Sequence, residues 1–444
     1  MDHAVSTDTA VQAQLDRLWA LSPGADILGL ERITRLLDRL GNPQDRLPPV
    51  FHVAGTNGKG STCAFLRSAL EAAGYTVHSY TSPHLVRFNE RIRVAGRLID
   101  DAALAALLAE VLDAGGDIGA SFFEVTTAAA FLAFSRTLAD ACIIEVGLGG
   151  RLDATNVIAH PLVTGIAQLG IDHQSFLGDS AVGIAGEKAG IAKPGVVLVT
   201  MEYEPDLAAR VTQVAMQTGA PVLALGTTWQ ISTDATHIHY VDARGRIAIP
   251  LPAMAGPHQP GNLALAIAML RHQTRLPVPT EALAAAAFAT HWPARMQRLH
   301  TGPLVDLLPP GSQLWLDGGH NPAAAGAIAA TLQQIAAPGI ERSEVHLVLG
   351  MLANKEPAGL LMPFAKIATT LHAVPIERHE HHAPPALAAL AHTLGIAAHT
   401  ATDIGAALRD VTRISDPAEP PIVLILGSLY LAGEVLRAND ELPD

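Results

Sequence analysis

The sequence predicts an α/β protein of two domains, each built on a mostly parallel sheet flanked by helices. Its 444 residues exceed what one ordinary core can organise. Short apolar strands alternate with helical stretches, and the first sheet strand runs directly into a glycine-rich turn and then a helix. Because the alternation restarts in the last third of the chain, we predict domains at 1–293 and 294–444.

The elements of the N-terminal domain follow from local patterns. Apolar residues at helical spacing predict a helix from Leu30 to Leu40, and Gly41 and Pro43 end it. A second helix is predicted over Thr62–Ala73. Apolar runs predict strands at Val50–Ala54, Ala141–Val146, Leu162–Ile166 and Val196–Thr200. Alternation within 229–251, with a turn at 242–245, predicts a β-hairpin appended to this domain.

The C-terminal domain begins where Trp292 and Pro293 interrupt an alanine-rich helix. Further strands are predicted near Gln313–Leu316, Val345–Gly350, Leu371–Pro375 and Ile422–Leu426. Helical stretches separate these strands, so we expect a Rossmann-like α/β fold.

Composition excludes several classes of protein. A formal charge of −13 argues against a sequence-independent nucleic-acid binder, which needs clustered basic residues. The only two cysteines, Cys63 and Cys142, lie in apolar runs, as expected for buried free thiols in a reducing compartment. No signal-like start or membrane-length apolar segment is present in the sequence. We therefore expect a cytoplasmic protein with no membrane or nucleic-acid partner.

The glycine-rich turn is a candidate phosphate-binding loop. It consists of Gly55, Thr56, Asn57, Gly58, Lys59, Gly60, Ser61 and Thr62. Backbone N–H groups of such a turn converge on phosphate oxygens at a helix N-terminus, and Lys59 would reach the β- and γ-phosphates. The spacing misses the G-x-x-x-x-G-K-[ST] pattern, so the strand-before, helix-after context carries the prediction. A dinucleotide site at 147–150 is less favoured, because Leu152 replaces the third glycine of that motif.

Two further positions, Glu145 and His173, suggest a polar site near this loop. Glu145 lies in an apolar strand, where a carboxylate needs a positive partner such as Mg²⁺ or a hydrogen-bond network. His173 follows the next strand and is predicted at the same carboxyl edge of the sheet. Lys188 forms a charged pair with Glu187 ahead of a glycine, and composition alone indicates only a surface helix end.

The remaining histidine groups favour simpler interpretations. His237 and His239 alternate along a strand, so we expect them on a strand face. His379, His381 and His382 surround Glu380 ahead of two prolines. Their spacing matches no closed metal site, and a solvated loop is the better interpretation.

Several stretches together resemble one family. They are LGLER at 28–32, the glycine loop, TSPHL at 81–85, FNERI at 88–92, EVGLGGRLDATN at 145–156, GIDH at 170–173, EKAGI at 187–191, HQ at 258–259 with Asn262, and DGGHNP at 317–322. Over nearly the whole chain the sequence resembles folylpolyglutamate synthase, including the bacterial form that is also a dihydrofolate synthase. The resemblance implies an ATP-dependent amide ligase of folate biosynthesis.

The family's residue roles are carried over to matching positions. The resemblance implies a catalytic group at Lys59, Glu145, His173 and Lys188, and Mg²⁺ ligands, for two ions, at Ser82, Glu145, His173 and Lys188. Lys188 would be carried as a carbamate, which supplies the oxygens that an ammonium lacks. Besides the loop, ATP contacts are implied at Asn262, Arg295, Asp317 and His320. Contacts to the pteroate-type acid are implied at Leu28, Gly29, Leu30, Pro83, His84, Phe122, Phe123, Glu124, Leu152, Asp153 and Ala154.

Two departures from the family pattern lie in the C-terminal domain. The stretch between Arg295 and Asp317 is longer than in the bacterial form, and Gly319 stands where alanine or valine is common.

The implied chemistry joins L-glutamate to dihydropteroate, to the glutamate tail of a tetrahydrofolate, or to both. The acid's carboxylate attacks the γ-phosphate of ATP, and the amine of glutamate then attacks the acyl phosphate. The expected partners are these small molecules, and we expect a monomer.

Two rival interpretations remain. A muramoyl-peptide ligase would carry an extra domain before its phosphate loop, and here the loop begins by residue 55. A nucleotide-binding switch would have no reason to keep Ser82, Glu145, His173 and Lys188 together.

Overall fold

The computed structural model describes residues 5–21, 28–336, 344–416 and 419–444. The chain forms two compact units. Unit 1 comprises Met1–Ala253 and His258–His291, and unit 2 comprises Met254–Pro257 and Trp292–Asp444. Both units are α/β, so the predicted fold class is confirmed. No helix in the described part of the chain is long and apolar enough to cross a bilayer.

Unit 1 contains ten α-helices among its described residues. They are α1 Thr9–Leu21, α2 Glu31–Arg39, α3 Lys59–Ala72, α4 Asp101–Gly115, α5 Phe122–Arg136, α6 Gln174–Leu177, α7 Ala181–Ala189, α8 Pro205–Thr218, α9 Gln259–Arg271 and α10 Thr280–Ala289. Its strands are β1 Val50–Ala54, β2 Val77–Tyr80, β3 Ile92–Val94, β4 Arg97–Leu98, β5 Ala141–Glu145, β6 Val163–Ile166, β7 Leu198–Thr200, β8 Val222–Ala224, β9 Trp229–Thr233, β10 His237–Asp242 and β11 Gly245–Pro250.

The main sheet of unit 1 has eight strands in the order β4-β3-β2-β5-β1-β6-β7-β8. Strands β2, β5, β1, β6, β7 and β8 are parallel, and only β3 and β4 pair antiparallel at one edge. Every residue of the central strand β1 is buried, as a strand covered on both faces requires. The carboxyl ends of β5, β1 and β6 therefore share one edge, where the candidate site lies.

Apolar clusters of described residues pack against this sheet. In one, the helices α1, α2, α4 and α5 contribute residues such as Leu15, Ile33, Leu108 and Phe131. In another, Ile166 packs with residues of α7 and α8. Cys63 and Cys142 are buried and free, as predicted.

The appended β-element has three strands rather than the two of a hairpin. Strands β9, β10 and β11 form an antiparallel sheet, and β10 lies in the middle. The turn predicted at 242–245 joins β10 to β11, and the prediction contained no second turn between β9 and β10, so it gave two strands instead of three. Arg271 of α9 donates to both oxygens of Asp242 over 2.7 and 2.8 Å, which ties this sheet to the helix.

Unit 2 contains a six-stranded sheet in the order β12-β13-β17-β14-β15-β16. The strands are β12 Gln297–Leu299, β13 Gln313–Leu316, β14 Val345–Leu349, β15 Thr370–Ala373, β16 Ala397–Thr400 and β17 Ile422–Leu426. The helices are α11 Pro322–Ile335, α12 Pro357–Leu361, α13 Pro384–Thr393, α14 Ile404–Ile414 and α15 Leu429–Ala438. Only β12 is antiparallel. Its core combines apolar residues of the strands, such as Leu347 and Leu424, with apolar residues of the helices, such as Ile328 and Leu387.

Candidate active site

The glycine loop joins β1 to α3 and is hydrogen-bonded to the segment that follows β6. The N–H groups of Thr56 and Asn57 donate to Gln168 O over 2.7 and 3.2 Å. The Thr56 hydroxyl donates to Gly170 O over 2.9 Å and accepts from Gly170 N over 3.0 Å. Helix α3 begins at Lys59, three residues earlier than predicted, so its unpaired first-turn N–H groups belong to the loop. This is the geometry that binds phosphate.

Gly58 is required by both its conformation and its neighbour. It precedes α3 with a φ of 83°, in the left-handed region that favours glycine. A Cβ at this position would collide with the amide oxygen of Asn262. Asn262 is buried, and its Nδ2 donates to Gln259 Oε1 over 3.1 Å. The structure therefore places the predicted Asn262 directly against the loop.

The loop also brings two lysines together. Lys59 Nζ donates to Gly55 O over 3.1 Å and to Thr56 O over 3.3 Å. Lys188 Nζ donates to the same Gly55 O over 2.9 Å. The two amine nitrogens therefore lie within about two hydrogen-bond lengths of each other, and the charge of Lys59 attracts polyanions.

The prediction of a surface helix end at 187–188 is wrong for Lys188, which is only 4% exposed. Gly150 makes this burial possible, because a Cβ there would lie 2.8 Å from Glu187 O and 2.9 Å from Lys188 O. Arg151 N donates to Glu187 O over 2.8 Å, and Asn156 Nδ2 donates to Gly190 O over 3.1 Å. The 147–156 segment thus covers the end of α7.

Burial changes the chemistry of Lys188. Loss of solvent and, to a smaller extent, the positive charge of Lys59 lower its pKa, Asp172 and Asp153 partly oppose the shift, and the resulting pKa is about 7. A large fraction of Lys188 is therefore a neutral, nucleophilic amine near neutral pH.

Glu145 ends β5 and is 4% exposed. Ser82 N donates to Glu145 Oε2 over 3.2 Å, which brings two of the predicted metal ligands together. Burial raises the pKa of the Cys63 thiol in α3, and the Glu145 carboxylate raises that pKa further.

His173 lies at the predicted edge of the sheet. It is exposed, has a left-handed φ of 54° and precedes α6. The Thr56–Gly170 hydrogen bonds hold its segment beside the glycine loop. Across the described residues, no group of three or more His, Cys, Asp and Glu side chains could hold a metal ion. The predicted ligand set contains only two residues of those types, Glu145 and His173, so it depends on Ser82, Lys188 and substrate oxygens.

In unit 2 the structure brings Arg295, Asp317 and His320 together. Asp317 is buried and accepts from Met296 N over 2.8 Å and from Gly319 N over 2.7 Å. Gly318 N donates to Ala294 O over 3.0 Å, and Arg295 Nη1 donates to the same oxygen over 2.9 Å. His320 Nδ1 lies 3.0 Å from Gly318 O.

The extra length between Arg295 and Asp317 does not separate them. The segment pairs as an antiparallel β12–β13 ladder, in which Gln297 is opposite Leu316. Arg295 and Asp317 therefore flank the same end of this ladder.

The predicted acid-binding residues around α5 have strong structural roles. Phe122 is buried and stacks on Trp19 with ring centroids 5.2 Å apart. The ring of Phe123 occupies the space that a side chain at Gly147 would fill. Glu124 is the capping-box residue of α5, and its Oε2 accepts from Arg32 Nε over 2.9 Å. The other oxygen of Glu124 is buried without a hydrogen-bond partner.

The other predicted acid-binding residues lie in nearby loops. His84 is buried and its Nδ1 accepts from Arg91 Nε over 2.9 Å, while Pro83 is exposed. Asp153 is buried and accepts from Leu148 N over 2.8 Å and from Thr155 N over 3.0 Å. The remaining ones differ in burial. Ala154 is buried, and four are half-buried: Leu28, Gly29, Leu30 and Leu152.

Sequence reasoning missed the residues that hold these loops. Arg91 is buried and lies over the rings of Phe88 and Phe122 at 5.5 and 5.4 Å. His52, in the centre of β1, contacts Thr155 Oγ1 over 2.9 Å. A polar residue inside an apolar run is the signal that the sequence offers for His52, whereas Arg91 follows Glu90 in a polar stretch and has no such signal.

The predictions for the remaining histidines, a strand face for His237 and His239 and a solvated loop at 379–382, agree with the structure in part. His237 and His239 lie on one face of β10, as predicted. The 379–382 segment is a loop, and its histidines are half-buried rather than solvated: His382 Nε2 contacts Lys355 O over 2.8 Å, and His379 stacks on Tyr430 at 4.0 Å.

A glycine loop between a central parallel strand and a helix, with two lysines on one carbonyl, defines a phosphate-binding α/β protein. Residues 306–438 match the family described as Dihydrofolate synthetase, C-terminal domain. The chain is 33% identical over 419 residues to folylpolyglutamate synthase of Lacticaseibacillus casei, covering 91% of this chain and 92% of that one. It is 36% identical over 354 residues to dihydrofolate synthase/folylpolyglutamate synthase of Escherichia coli, covering 79% and 78%.

Solved structures agree. E. coli FolC in complex with DHPP and ADP superposes with a TM-score of 0.86 at 32% identity, covering 98% of this chain and 99% of that one. A bifunctional folylpolyglutamate synthase/dihydrofolate synthase with Mn, AMPPNP and L-glutamate bound gives a TM-score of 0.84 at 32% identity, with the same coverage. The chain belongs to the folylpolyglutamate synthase/dihydrofolate synthase family.

Proposed function

We propose that this protein is an ATP-dependent amide ligase that adds L-glutamate to dihydropteroate, to the glutamate tail of tetrahydrofolates, or to both. The observation that carries the proposal is the pair Lys59 and Lys188 on the carbonyl of Gly55. Lys188 is a buried amine with a pKa of about 7 beside a phosphate loop. A nucleotide-binding switch gives no reason for such a residue, and burying an amine in an ordinary core costs free energy.

ATP is bound by the glycine loop in this proposal. The first-turn N–H groups of α3 and the ammonium of Lys59 face the phosphates and offset the charge that develops on the transferring phosphoryl group. Asn262, Arg295, Asp317 and His320 supply further contacts to the nucleotide. We assign ATP binding to a domain at 1–293 and glutamate ligation to a domain at 294–444. This boundary is the point where the sequence predicts that the α/β pattern restarts.

Ser82, Glu145, His173 and Lys188 would hold the divalent ions, for which two Mg²⁺ are proposed. A carboxylate that is 4% exposed and bonded to the N–H of Ser82 fits such a site, because hard cations prefer oxygen ligands. When bound, the ions would supply charge neutralisation at the β- and γ-phosphates.

Lys188 would act as a carbamate. Its neutral amine attacks CO₂, so that one N–C bond forms and one proton is released. The product places a carboxylate beside the ammonium of Lys59, and the two opposite charges attract each other. The remaining N–H can still donate to Gly55 O.

The two chemical steps need positioning more than covalent help. The carboxylate of the acid attacks the γ-phosphorus of ATP and gives an acyl phosphate and ADP. The amine of glutamate then attacks the acyl carbon and expels phosphate. The loops at 28–30, 83–84, 122–124 and 152–154 are proposed to hold the acid. We also propose that the protein is a cytoplasmic monomer without nucleic-acid or membrane partners.

The test is phosphate release from ATP with Mg²⁺ and L-glutamate, in parallel with dihydropteroate, tetrahydrofolate and no acid. Release with both acids supports the bifunctional form, and release with one assigns the enzyme to that step. Silence with both contradicts the proposal and favours the muramoyl-ligase or switch alternatives. Lys366→Ala, at an exposed lysine of unit 2, is the control variant and keeps full activity.

A further inference from the structure

The side chain of Tyr203 holds the chain at the point where β6 ends. Its hydroxyl donates to Ile166 O over 2.7 Å and to Ala167 O over 2.8 Å. Successive carbonyls of an extended strand point to opposite sides, so one hydroxyl can reach both only where the chain turns out of the strand. Tyr203 therefore stabilises a bend that leads from β6 toward the candidate active site. We call residues 166–170 the bend segment.

The neighbouring strand β7 supplies little of this hydrogen bonding. The β6–β7 ladder ends at the pair Ile166 and Thr200. Beyond this pair, Met201 N reaches Ile166 O only over 3.4 Å. Ile166 and Ala167 are both buried, and a buried carbonyl without a good donor costs free energy. The phenol of Tyr203 thus takes the place of the backbone donors that β7 no longer offers.

The surroundings of Tyr203 keep its hydroxyl a donor. The side chain is half-buried and packs against the apolar cluster that contains Ile166 and Val211. Burial raises the pKa of the phenol, which therefore stays protonated in the neutral range. The hydroxyl always has a proton to donate to the two carbonyls.

The bend segment in turn packs against the start of the glycine loop. Ala167 N donates to Ala54 O over 2.8 Å, which extends the β1–β6 ladder up to the loop. A Cβ at Gly55 would lie 2.9 Å from the Cβ of Ala167. Gly55 carries the carbonyl to which Lys59 and Lys188 donate. Because packing here is this close, a displacement of Ala167 is transmitted to that carbonyl.

The bend segment contacts the glycine loop a second time, farther along. Gln168 O accepts from the N–H groups of Thr56 and Asn57, and the Thr56 hydroxyl is bonded to both the N–H and the carbonyl of Gly170. These bonds fix the direction of the loop backbone. A continuous chain of hydrogen bonds therefore runs from Tyr203 through the bend segment to the glycine loop.

We propose that Tyr203 is a positioning residue of the nucleotide site, and that it acts through the bend segment to hold the glycine loop in the conformation that binds phosphate. The inference rests on the proposed function, in which the glycine loop binds ATP. Tyr203 lies outside every stretch that resembles the family, so its role follows from these contacts alone.

The first test is Tyr203→Phe, which removes one hydroxyl and keeps the ring. Calorimetry with ADP and Mg²⁺ should show an affinity about fivefold lower, the size expected for one hydrogen bond. The KM for ATP should rise to the same extent, whereas the KM for the acid should not change, because the phenol bonds to the bend segment and not to the loops proposed to hold the acid. A residue that only stabilises the fold would lower the melting temperature without this split.

Tyr75→Phe is the matched control. The Tyr75 hydroxyl also donates to a backbone carbonyl, Pro277 O, over 3.0 Å. Tyr75 follows the end of α3 that is opposite to the glycine loop. Its variant should lower the melting temperature and leave the ADP affinity unchanged.

A double-mutant cycle tests the route through the bend segment. Thr56→Val removes the hydroxyl that bonds to Gly170 and so weakens the connection between segment and loop. In that background, Tyr203→Phe should lower the ADP affinity by less than about twofold, because residues that act through one network are not additive. The same loss in both backgrounds would show that Tyr203 does not act through the bend segment, and the proposal would be wrong.

The remaining outcomes separate this inference from the proposed function. Unchanged ADP affinity in folded Tyr203→Phe, or an equal loss in Tyr75→Phe, overturns the positioning role even if the enzyme releases phosphate. A loss specific to Tyr203→Phe supports the positioning role even if no acid elicits phosphate release, a result that would contradict only the ligase activity. Absence of ADP binding by the unaltered protein would overturn both.

Discussion

The side chains of Lys59 and Lys188, 129 positions apart in the sequence, donate to one carbonyl oxygen, that of Gly55, over 3.1 and 2.9 Å. Lys59 belongs to the first turn of α3 and is half-buried, and Lys188 is buried at the end of α7. The first can meet phosphate as a cation, and the second is easily deprotonated. One oxygen therefore brings together two lysines with different chemistry.

Lys59→Ala removes the cation that we propose faces the phosphates of ATP. We expect phosphate release to fall by about 100-fold or more, because the lost charge acts on the transferring phosphoryl group. The melting temperature should change little, since the side chain bonds only to loop carbonyls. Steady-state assays of phosphate release compare the activity of Lys59→Ala with that of the control variant Lys366→Ala. Near-normal activity of Lys59→Ala would contradict the proposal that the glycine loop binds the phosphates of ATP.

Lys188→Ala removes the proposed carbamate. We expect activity to fall and to be partly restored by acetate or formate, whose carboxylate can occupy the vacated space. Sodium chloride at equal ionic strength is the control for the added salt. A variant that is fully active without any added acid would show that the carbamate is unnecessary.

The pKa of Lys188 makes stability depend on pH. It is about 7 in the folded protein and 10.5 as the ordinary value, so the unfolded chain binds more protons between these pH values. The free energy of unfolding should therefore rise with pH across this window, by about 1.4 kcal/mol per unit more than in Lys188→Met. Urea unfolding of both proteins in CO₂-free buffer, from pH 7 to about 9.5, measures the difference. Parallel curves would show that Lys188 is not desolvated.

Gly58 and Gly96 have the same φ of 83° but different surroundings. A Cβ at Gly58 would collide with Asn262, whereas at Gly96 it would meet only Glu71 Oε1 at 3.5 Å. Both alanine variants should lose about 1 kcal/mol of stability through the left-handed conformation. Only Gly58→Ala should also weaken ADP binding in calorimetry. Equal ADP affinities would place Asn262 outside the nucleotide site.

The parts that could be predicted are those that local patterns determine. Val50–Ala54 is an apolar run bounded by a glycine turn, and the structure has that strand at the same residues. Ile422–Leu426 is equally apolar and is also found as predicted. The carboxyl-edge position of Glu145 follows from its place at the end of such a run.

The parts that escaped prediction depend on contacts distant in the sequence. Lys188 is buried because Gly150 lets a loop approach the carbonyls of α7, and nothing in the 187–191 segment reveals this. Strand β12 has only three residues, too few to show a period, and the prediction placed no turn between β9 and β10. Arg295 lies near Asp317 because of the β12–β13 ladder, which the intervening length conceals.

The measurement closest to the central claim follows oxygen from the acid to the phosphate. Dihydropteroate labelled with ¹⁸O in its carboxylate is turned over with ATP, Mg²⁺ and L-glutamate, and the released phosphate is analysed by mass spectrometry. An acyl phosphate intermediate transfers one carboxylate oxygen to phosphorus, so the account predicts one ¹⁸O in each phosphate. Unlabelled phosphate, or label in AMP instead, would contradict it.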